Sequence, residues 1–210
     1  MKITKFGHCC LLIEEQGLHI LTDPGSYSTA QTEVQNIDVV LITHEHRDHL
    51  HIESLKTLLQ NNPQAKVITN KSVGLLLDSE GIKYQTLEDG ENLTVNEILF
   101  EGFGKDHAIV YKVVPVQNTG YFINNKFFYP GDSFTNPNKP IKVLALPVAG
   151  PWMKLSEAID YALSINAQIT FPVHDGILKD TTLGSYMPSK ILEENQLKFE
   201  VLELNKVYEF

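Results

Sequence analysis

The stretch THEHRDH, residues 43–49, places His44, His46, Asp48 and His49 within six positions. Imidazole and carboxylate are the donors that transition-metal ions of intermediate softness take. Just past a strand, residues two apart project to the same side, so His44 and His46 can share one ion. Asp48 and His49, in the turn that follows, can face the same cavity from the other side. A tetrahedral ion takes about four donors, so this cluster alone cannot fill two ions. Further donors must come from elsewhere in the chain. His107 in GKDHA, Asp132 in PGDS and His174 in PVHDG are the obvious suppliers, each following an expected strand or hairpin. Taken alone, THEHRDH also reads as a polar loop rich in histidine; the later Asp and His residues weigh against that reading.

The elements that must position these residues are legible in outline. VVLITHEH is an apolar run that ends abruptly in polar residues, as a buried strand does when it opens into a loop. Before it, ITKFGHCCLLIEE and LHILTDP read as two strands around a turn at Gln16-Gly17. After it, Ile52, Leu55, Leu58 and Leu59 recur at helical spacing, and Asn61-Asn62-Pro63 ends the helix. AKVITN is a further buried strand, and residues 72–79 form a helix that stops at Gly81. IKYQTL, ENLTV and ILFEGFG form a block of short strands, and GYFINNKFFYPGDS is a hairpin turning at Asn124-Asn125. IKVLALPV is again a buried strand, LSEAIDYALSI an amphipathic helix, and AQITFPVHDG a strand running into a loop. FEVLEL and KVYEF alternate at the end of the chain. This mixed order calls for sheets flanked by helices, with sites at strand ends. Of the eight histidines, His19 in a strand and His51 at a helix start read as solvated or hydrogen-bonded residues.

The 210 residues suffice for one domain with a substantial core, spanning 1–210. A net charge of −9 opposes broad contact with phosphate polymers, so no nucleic-acid partner is expected. No run of about 18 apolar residues is present, so no membrane span is expected. MKITKFGHCC lacks the apolar region of a secretory signal, and the expectation is a cytoplasmic protein. Cys9 and Cys10 are adjacent and read as buried strand residues whose side chains point to opposite faces rather than as a thiolate pair.

THEHRDH resembles the HxHxDH signature of the metallo-β-lactamase superfamily. The resemblance extends over nearly the whole chain. FGHCCLLIEEQGLHILTDP is similar to the opening of the ascorbate-6-phosphate-lactonase-like branch, YPGDS to its later Gly-Asp motif, and FPVHDG to its final histidine motif. The resemblance implies an α/β (α+β) fold, a four-layered αββα sandwich with a dinuclear metal site between the sheets. It implies that His44, His46 and His107 hold one metal, that Asp48, His49 and His174 hold the other, and that Asp132 bridges them. His8 has no ligand role in that scheme; it is expected to line the cleft, behind the ligands or against substrate. Asp23 is expected to orient a ligand histidine through a hydrogen bond.

Two divalent ions make hydroxide available near neutral pH and stabilise an oxyanion. Asp48 is the expected acceptor or orienter of the water proton. The donor set suits Zn, Mn or Fe; zinc is the first expectation, with manganese next because that lactonase branch is associated with it. The expected activity is metal-dependent hydrolysis of a small ester, lactone or phosphorylated molecule. A phosphodiesterase or nuclease, and a non-catalytic metal-containing binding module, are the alternatives. Lys105 and Lys154 are candidates for an anionic group of the substrate, and Trp152 for a pocket wall or for anchoring the following helix. A homo-oligomer is compatible with the sequence.

Overall fold

The structure, a computed structural model, describes residues 1–28 and 30–210. Its first sheet contains β1 (Lys2–Lys5), β2 (Leu11–Glu15), β3 (Leu18–Thr22), β4 (Val39–Ile42), β5 (Lys66–Thr69) and β6 (Tyr84–Thr86). The second contains β7 (Asn92–Val95), β8 (Ile98–Phe103), β9 (Gly120–Ile123), β10 (Phe127–Tyr129), β11 (Val143–Pro147), β12 (Ile169–Val173) and β13 (Lys198–Phe199). The final strand, β14 (Val207–Glu209), returns to the first sheet. The orders are β14-β1-β2-β3-β4-β5-β6 and β13-β12-β11-β10-β9-β8-β7. In both sheets the antiparallel hairpins give way to a parallel half, β3 to β6 and β10 to β13.

Side-chain alternation explains the layering. In β4, Val39 and Leu41 enter the core between the sheets, whereas Val40 and Ile42 face α1 (Ile52–Asn61) and α2 (Lys71–Ser79). In β11, Val143 and Ala145 enter the same inter-sheet core. Leu144 and Leu146 pack with Ala158, Ala162 and Ile165 of α3 (Leu155–Ile165) and Leu192 of α4 (Thr182–Glu194). Strands buried on both faces must be apolar throughout, which is why VVLI and VLALP carry no polar alternation. The result is helix, sheet, sheet, helix, as expected for the αββα sandwich.

Two local readings differ. ITKFGHCCLLIEE is not one strand: Phe6–Cys10 forms a turn between β1 and β2, closed by Phe6 N–H donating to Cys10 O at 2.9 Å. Gly7 and His8 at positive φ (119° and 32°) cannot continue a strand. Cys9 and Cys10 are buried free thiols, as expected, but lie in that turn. Of FEVLEL only Phe199 lies in a strand, as the last residue of the two-residue β13. The turn at Asn124-Asn125 is as read, with both residues left-handed at 51° and 54°.

Glu15 ties the two sheets together at that turn. Its buried carboxylate accepts from Asn124 Nδ2 and Lys126 Nζ, each at 2.6 Å. Burial alone would raise its pKa, but Lys126 and Asn124 outweigh burial and hold it below the usual 4.5. A depressed carboxylate contributes stability above its unfolded pKa and loses it as pH falls through the folded value. Glu15→Gln is therefore expected to lower unfolding free energy by about 1–3 kcal/mol at pH 7. Urea titrations of both proteins at descending pH should show the difference shrinking below the usual carboxylate pKa.

Candidate metal centre

The strand ends converge at one edge of the sandwich. Asp23 follows β3, Thr43 and His44 follow β4, Asp132 follows β10, and His174 follows β12. His107 lies beyond β8, in a loop pinned by His107 N–H to Val116 O and Ala108 N–H to Asp132 O, both 2.9 Å. His49 sits in a turn closed by its N–H donating to His46 O at 2.9 Å. Gly25 makes the THEHRDH loop fit: a Cβ there would lie 1.7 Å from Asp48 O. Gly131, at φ 66°, allows Asp132 its place, since a Cβ would meet Asn118 Oδ1 at 2.3 Å. That same Oδ1 accepts the Asp132 N–H at 3.0 Å.

Among the described residues three donor groups result, in each of which one atom per residue lies within 4.8 Å of the others: His44, His46 and His107; His8, Asp48, His49 and His174; and His44, His49 and Asp132. All seven residues singled out in the sequence as ligands are thus brought together, and His8 joins them. Asp132 faces both sides of the cluster. Its Oδ2 lies 3.3 Å from His107 Nε2 and 2.9 Å from His174 Nε2, and its Oδ1 lies 3.3 Å from His49 Nε2. Even so, His49 Nε2, His107 Nε2, His174 Nε2 and Asp132 Oδ1 are buried without a hydrogen-bond partner among the described residues. They aim at shared points between them rather than at one another. Buried polar atoms in that condition call for a ligand, and imidazole and carboxylate donors so arranged fit divalent cations.

Protonation follows burial and neighbours. Burial pushes His44 and His46 down, aided by His49 and His107 respectively, and pushes His8 down to about 4. These imidazoles are neutral at pH 7. Burial opposes charge on Asp132 as well, but His49, His107 and His174 outweigh it and hold the carboxyl below its usual range. For Asp48, His174 and His8 likewise outweigh burial. His49 and His174 rise against burial because Asp132 acts on both, joined by Asp23 on His49 and Asp48 on His174.

Asp23 Oδ2 lies 2.7 Å from Nδ1 of His49, one of the candidate ligands. Oδ2 also accepts from Thr43 Oγ1 at 2.7 Å and Tyr129 Oη at 2.6 Å, and Oδ1 accepts the Thr43 N–H at 2.8 Å. Trp152 lies at the cluster: its buried Nε1–H donates to Asp132 Oδ2 at 2.9 Å. Lys105 is largely exposed, 3.7 Å from Asp89, and Lys154 is an exposed residue at the start of α3. His51 bonds Ser54 Oγ at 2.8 Å, and the part-exposed His19 lies 3.4 Å from Glu14 and 3.6 Å from Asp38, in keeping with the solvated or hydrogen-bonded roles expected of them.

Sequence reasoning missed Tyr129, Thr43 and the buried pair Lys5–Asp175. Lys5 Nζ donates to both Asp175 oxygens at 2.7 Å and to Pro172 O at 2.9 Å, fixing β1 against the loop that carries His174. A lysine within β1 carried no signal; the Asp after His174 in VHDG was the available hint.

Comparisons with known proteins bear on the family and the fold. The beta-lactamase superfamily domain matches residues 2–174. A protein of Mycobacterium tuberculosis is 32% identical over 208 residues, 96% of each chain. A UPF0173 metal-dependent hydrolase of Alkaliphilus metalliredigens is 25% identical over 228 residues, covering both chains fully (100% each). A solved metallo hydrolase of the archaeon Ignicoccus hospitalis superposes with a TM-score of 0.78 over 100% of this chain and 98% of its own, at 23% identity, which speaks to the fold. The chain belongs to the metallo-β-lactamase superfamily.

Removing Lys5 leaves Asp175 buried and unpaired. Lys5→Met is expected to cost about 3–5 kcal/mol of stability. Adding Asp175→Asn should recover a large part of it, as read by thermal and urea unfolding of the single and double variants.

Proposed function

We propose that this metal-dependent hydrolase works with two divalent cations and acts on a small ester or lactone. His44, His46 and His107 would hold one cation, Asp48, His49 and His174 the other, and Asp132 both. The observation that carries this reading is the placement of Asp132, whose two oxygens face histidines of both groups at 2.9–3.3 Å. Bound there, divalent cations supply Lewis-acid polarisation of a carbonyl or phosphoryl oxygen and hydroxide at neutral pH.

The chain's own residues set the stage for that chemistry. Asp23 takes a hydrogen bond from His49 Nδ1 and so keeps its Nε2 lone pair turned inward. Thr43 Oγ1 does the same for His44, whose Nδ1 lies 3.0 Å away, because its own proton is given to Asp23. The carbonyl of Ala108 does so for His107, at 2.6 Å from Nδ1. Trp152 occupies part of Asp132 Oδ2 and walls the cluster, edge-on to His107 and His174. Asp48 is the carboxylate with room to handle a proton: its side chain is 22% exposed, against 3% for Asp132.

A cavity of about 450 Å³ opens beside His8, lined by Phe6, Tyr27, Val201 and Leu202 together with the Lys5–Asp175 pair. The cation in its wall is already spent on Asp175, which supports an uncharged substrate over a phosphorylated one. The similarity to the lactonase-like branch supports a lactone among such esters. The donor chemistry suits zinc, manganese or iron; zinc is the first choice, with manganese next on the resemblance to the lactonase-like branch.

Metal analysis after reconstitution should give about two ions per chain. Simple lactones and p-nitrophenyl esters should turn over, with bis-p-nitrophenyl phosphate a poor substrate, and chelation should abolish activity. His46→Ala and Asp132→Ala should each lower kcat/KM by roughly 100-fold or more. Full activity in either variant overturns the two-ion assignment; preferential cleavage of the phosphodiester overturns the substrate class.

A further inference from the structure

His8 lies within the donor group of Asp48, His49 and His174, so its placement alone would make it a fourth ligand of that ion. Its hydrogen bonds point elsewhere. The Gly176 N–H donates to His8 Nδ1 at 3.2 Å, and His8 Nε2 lies 3.1 Å from Asp48 Oδ2. A backbone amide can only donate, so Nδ1 is an acceptor and carries no proton. The imidazole proton therefore sits on Nε2, facing the carboxylate. Turning the ring over would set carbon against both partners, so the ring has one satisfied orientation. We infer that His8 is a permanent Nε2–H donor that positions Asp48, and is not a metal ligand.

The contrast with the other imidazoles sharpens this. His44, His49 and His107 each have Nδ1 against an acceptor: Thr43 Oγ1, Asp23 Oδ2 and Ala108 O. Their Nδ1 holds a proton, so the neutral ring offers the Nε2 lone pair to a cation. His8 has the reverse arrangement. To ligate through Nε2 it would need its proton on Nδ1, pointing at the Gly176 N–H.

The backbone holds this arrangement in place. His174 N–H donates to His8 O at 3.1 Å, and Lys5 clamps Asp175 from β1. Gly176 is the residue that can approach so closely: a Cβ there would stand 3.1 Å from both Cβ and Nδ1 of His8. The turn at residues 6–10 and the loop at 174–176 are thus zipped side by side, with Asp48 held by the imidazole between them.

This assignment rests on the proposed ligand role of Asp48, and its test separates the two. Long-range proton–nitrogen spectra of the imidazoles in the metal-free protein should show His8 with an unprotonated Nδ1 and a protonated Nε2. Zinc titration should leave that pattern in place. A protonated Nδ1, or an Nε2 that loses its proton to zinc, overturns the inference. If zinc fails to bind at all, the metal-site reading falls, while the metal-free spectrum still decides the tautomer. Zinc affinity measured by chelator competition supplies the second arm. His8→Ala should weaken the more weakly held zinc about 10–100-fold, whereas His8→Gln, whose amide nitrogen reaches the place of Nε2, should stay close to the native affinity. Equal loss in both variants overturns the donor role.

Discussion

The exit of β4, the THEHRDH turn and β10 all lean on the carboxylate of Asp23. It is fully buried, and all four of its hydrogen-bond partners approach it as donors. The Thr43 backbone and hydroxyl fix the exit of β4, His49 belongs to the THEHRDH turn, and Tyr129 comes from β10 in the opposite sheet. One acidic group therefore joins the two sheets at the edge where the donors collect. Burying such a charge costs several kcal/mol unless its lone pairs are filled. Here they are filled by the groups whose placement matters, so the cost and the positioning are one arrangement. Asp23 itself sits at φ 35°, a conformation that L side chains rarely adopt, and holds it because four bonds over-determine it.

The same logic recurs at the two other strained site residues. His8 at φ 32° and His174 at φ 60° face each other across the seam between the first turn and the β12 loop. Each such residue costs of order 1 kcal/mol, and the surroundings repay it with specific bonds: His174 N–H to His8 O, Gly176 N–H to His8 Nδ1, and Lys5 to Asp175. His8 follows β1 in the antiparallel part of the first sheet, whereas Asp23 and His174 follow strands of the parallel halves, which deliver their C-terminal ends to the same edge. β3 with β4, and β11 with β12, are such parallel pairs.

What was legible in the sequence was what depends on residue type and short spacing. Four donors in six positions, apolar runs that stop at His or Asp, and Asn-Asn between alternating segments each reflect a local rule. They gave the ligand candidates, the strands and the β9–β10 hairpin. The turn at 6–10 was hidden because Cys9, Cys10 and Leu11 continue the apolar look of a strand while the backbone turns at Gly7 and His8. Helix α4 was hidden because Gly184 and Pro188 lie inside it, and both oppose helix by intrinsic preference. It forms where Leu192 packs with Ile165 and Phe199 in the outer layer. The supporting contacts were hidden for a different reason. Tyr129 and Asp23 are 106 residues apart, Lys5 and Asp175 are 170 apart, and only the packed sheets bring them together.

The unpartnered atoms of the cluster bear on how folding and ion binding are linked. A buried polar atom left without a partner costs about 1–3 kcal/mol, and several imidazole nitrogens and one carboxylate oxygen here are in that state. The fold supports them because the inter-sheet core, running from Ile3 to Val173, and the Asp23 bonds hold the strand ends regardless of what the nitrogens face. Most of the rings are already aimed by hydrogen bonds on their far side, so an ion that arrives has little side-chain freedom to remove. Its binding then relieves the unpaired atoms directly. The same free energy returns as added stability of the folded chain, because the unfolded chain offers no such preformed site. Structure that is costly without the cation is, by that linkage, structure that holds the cation tightly.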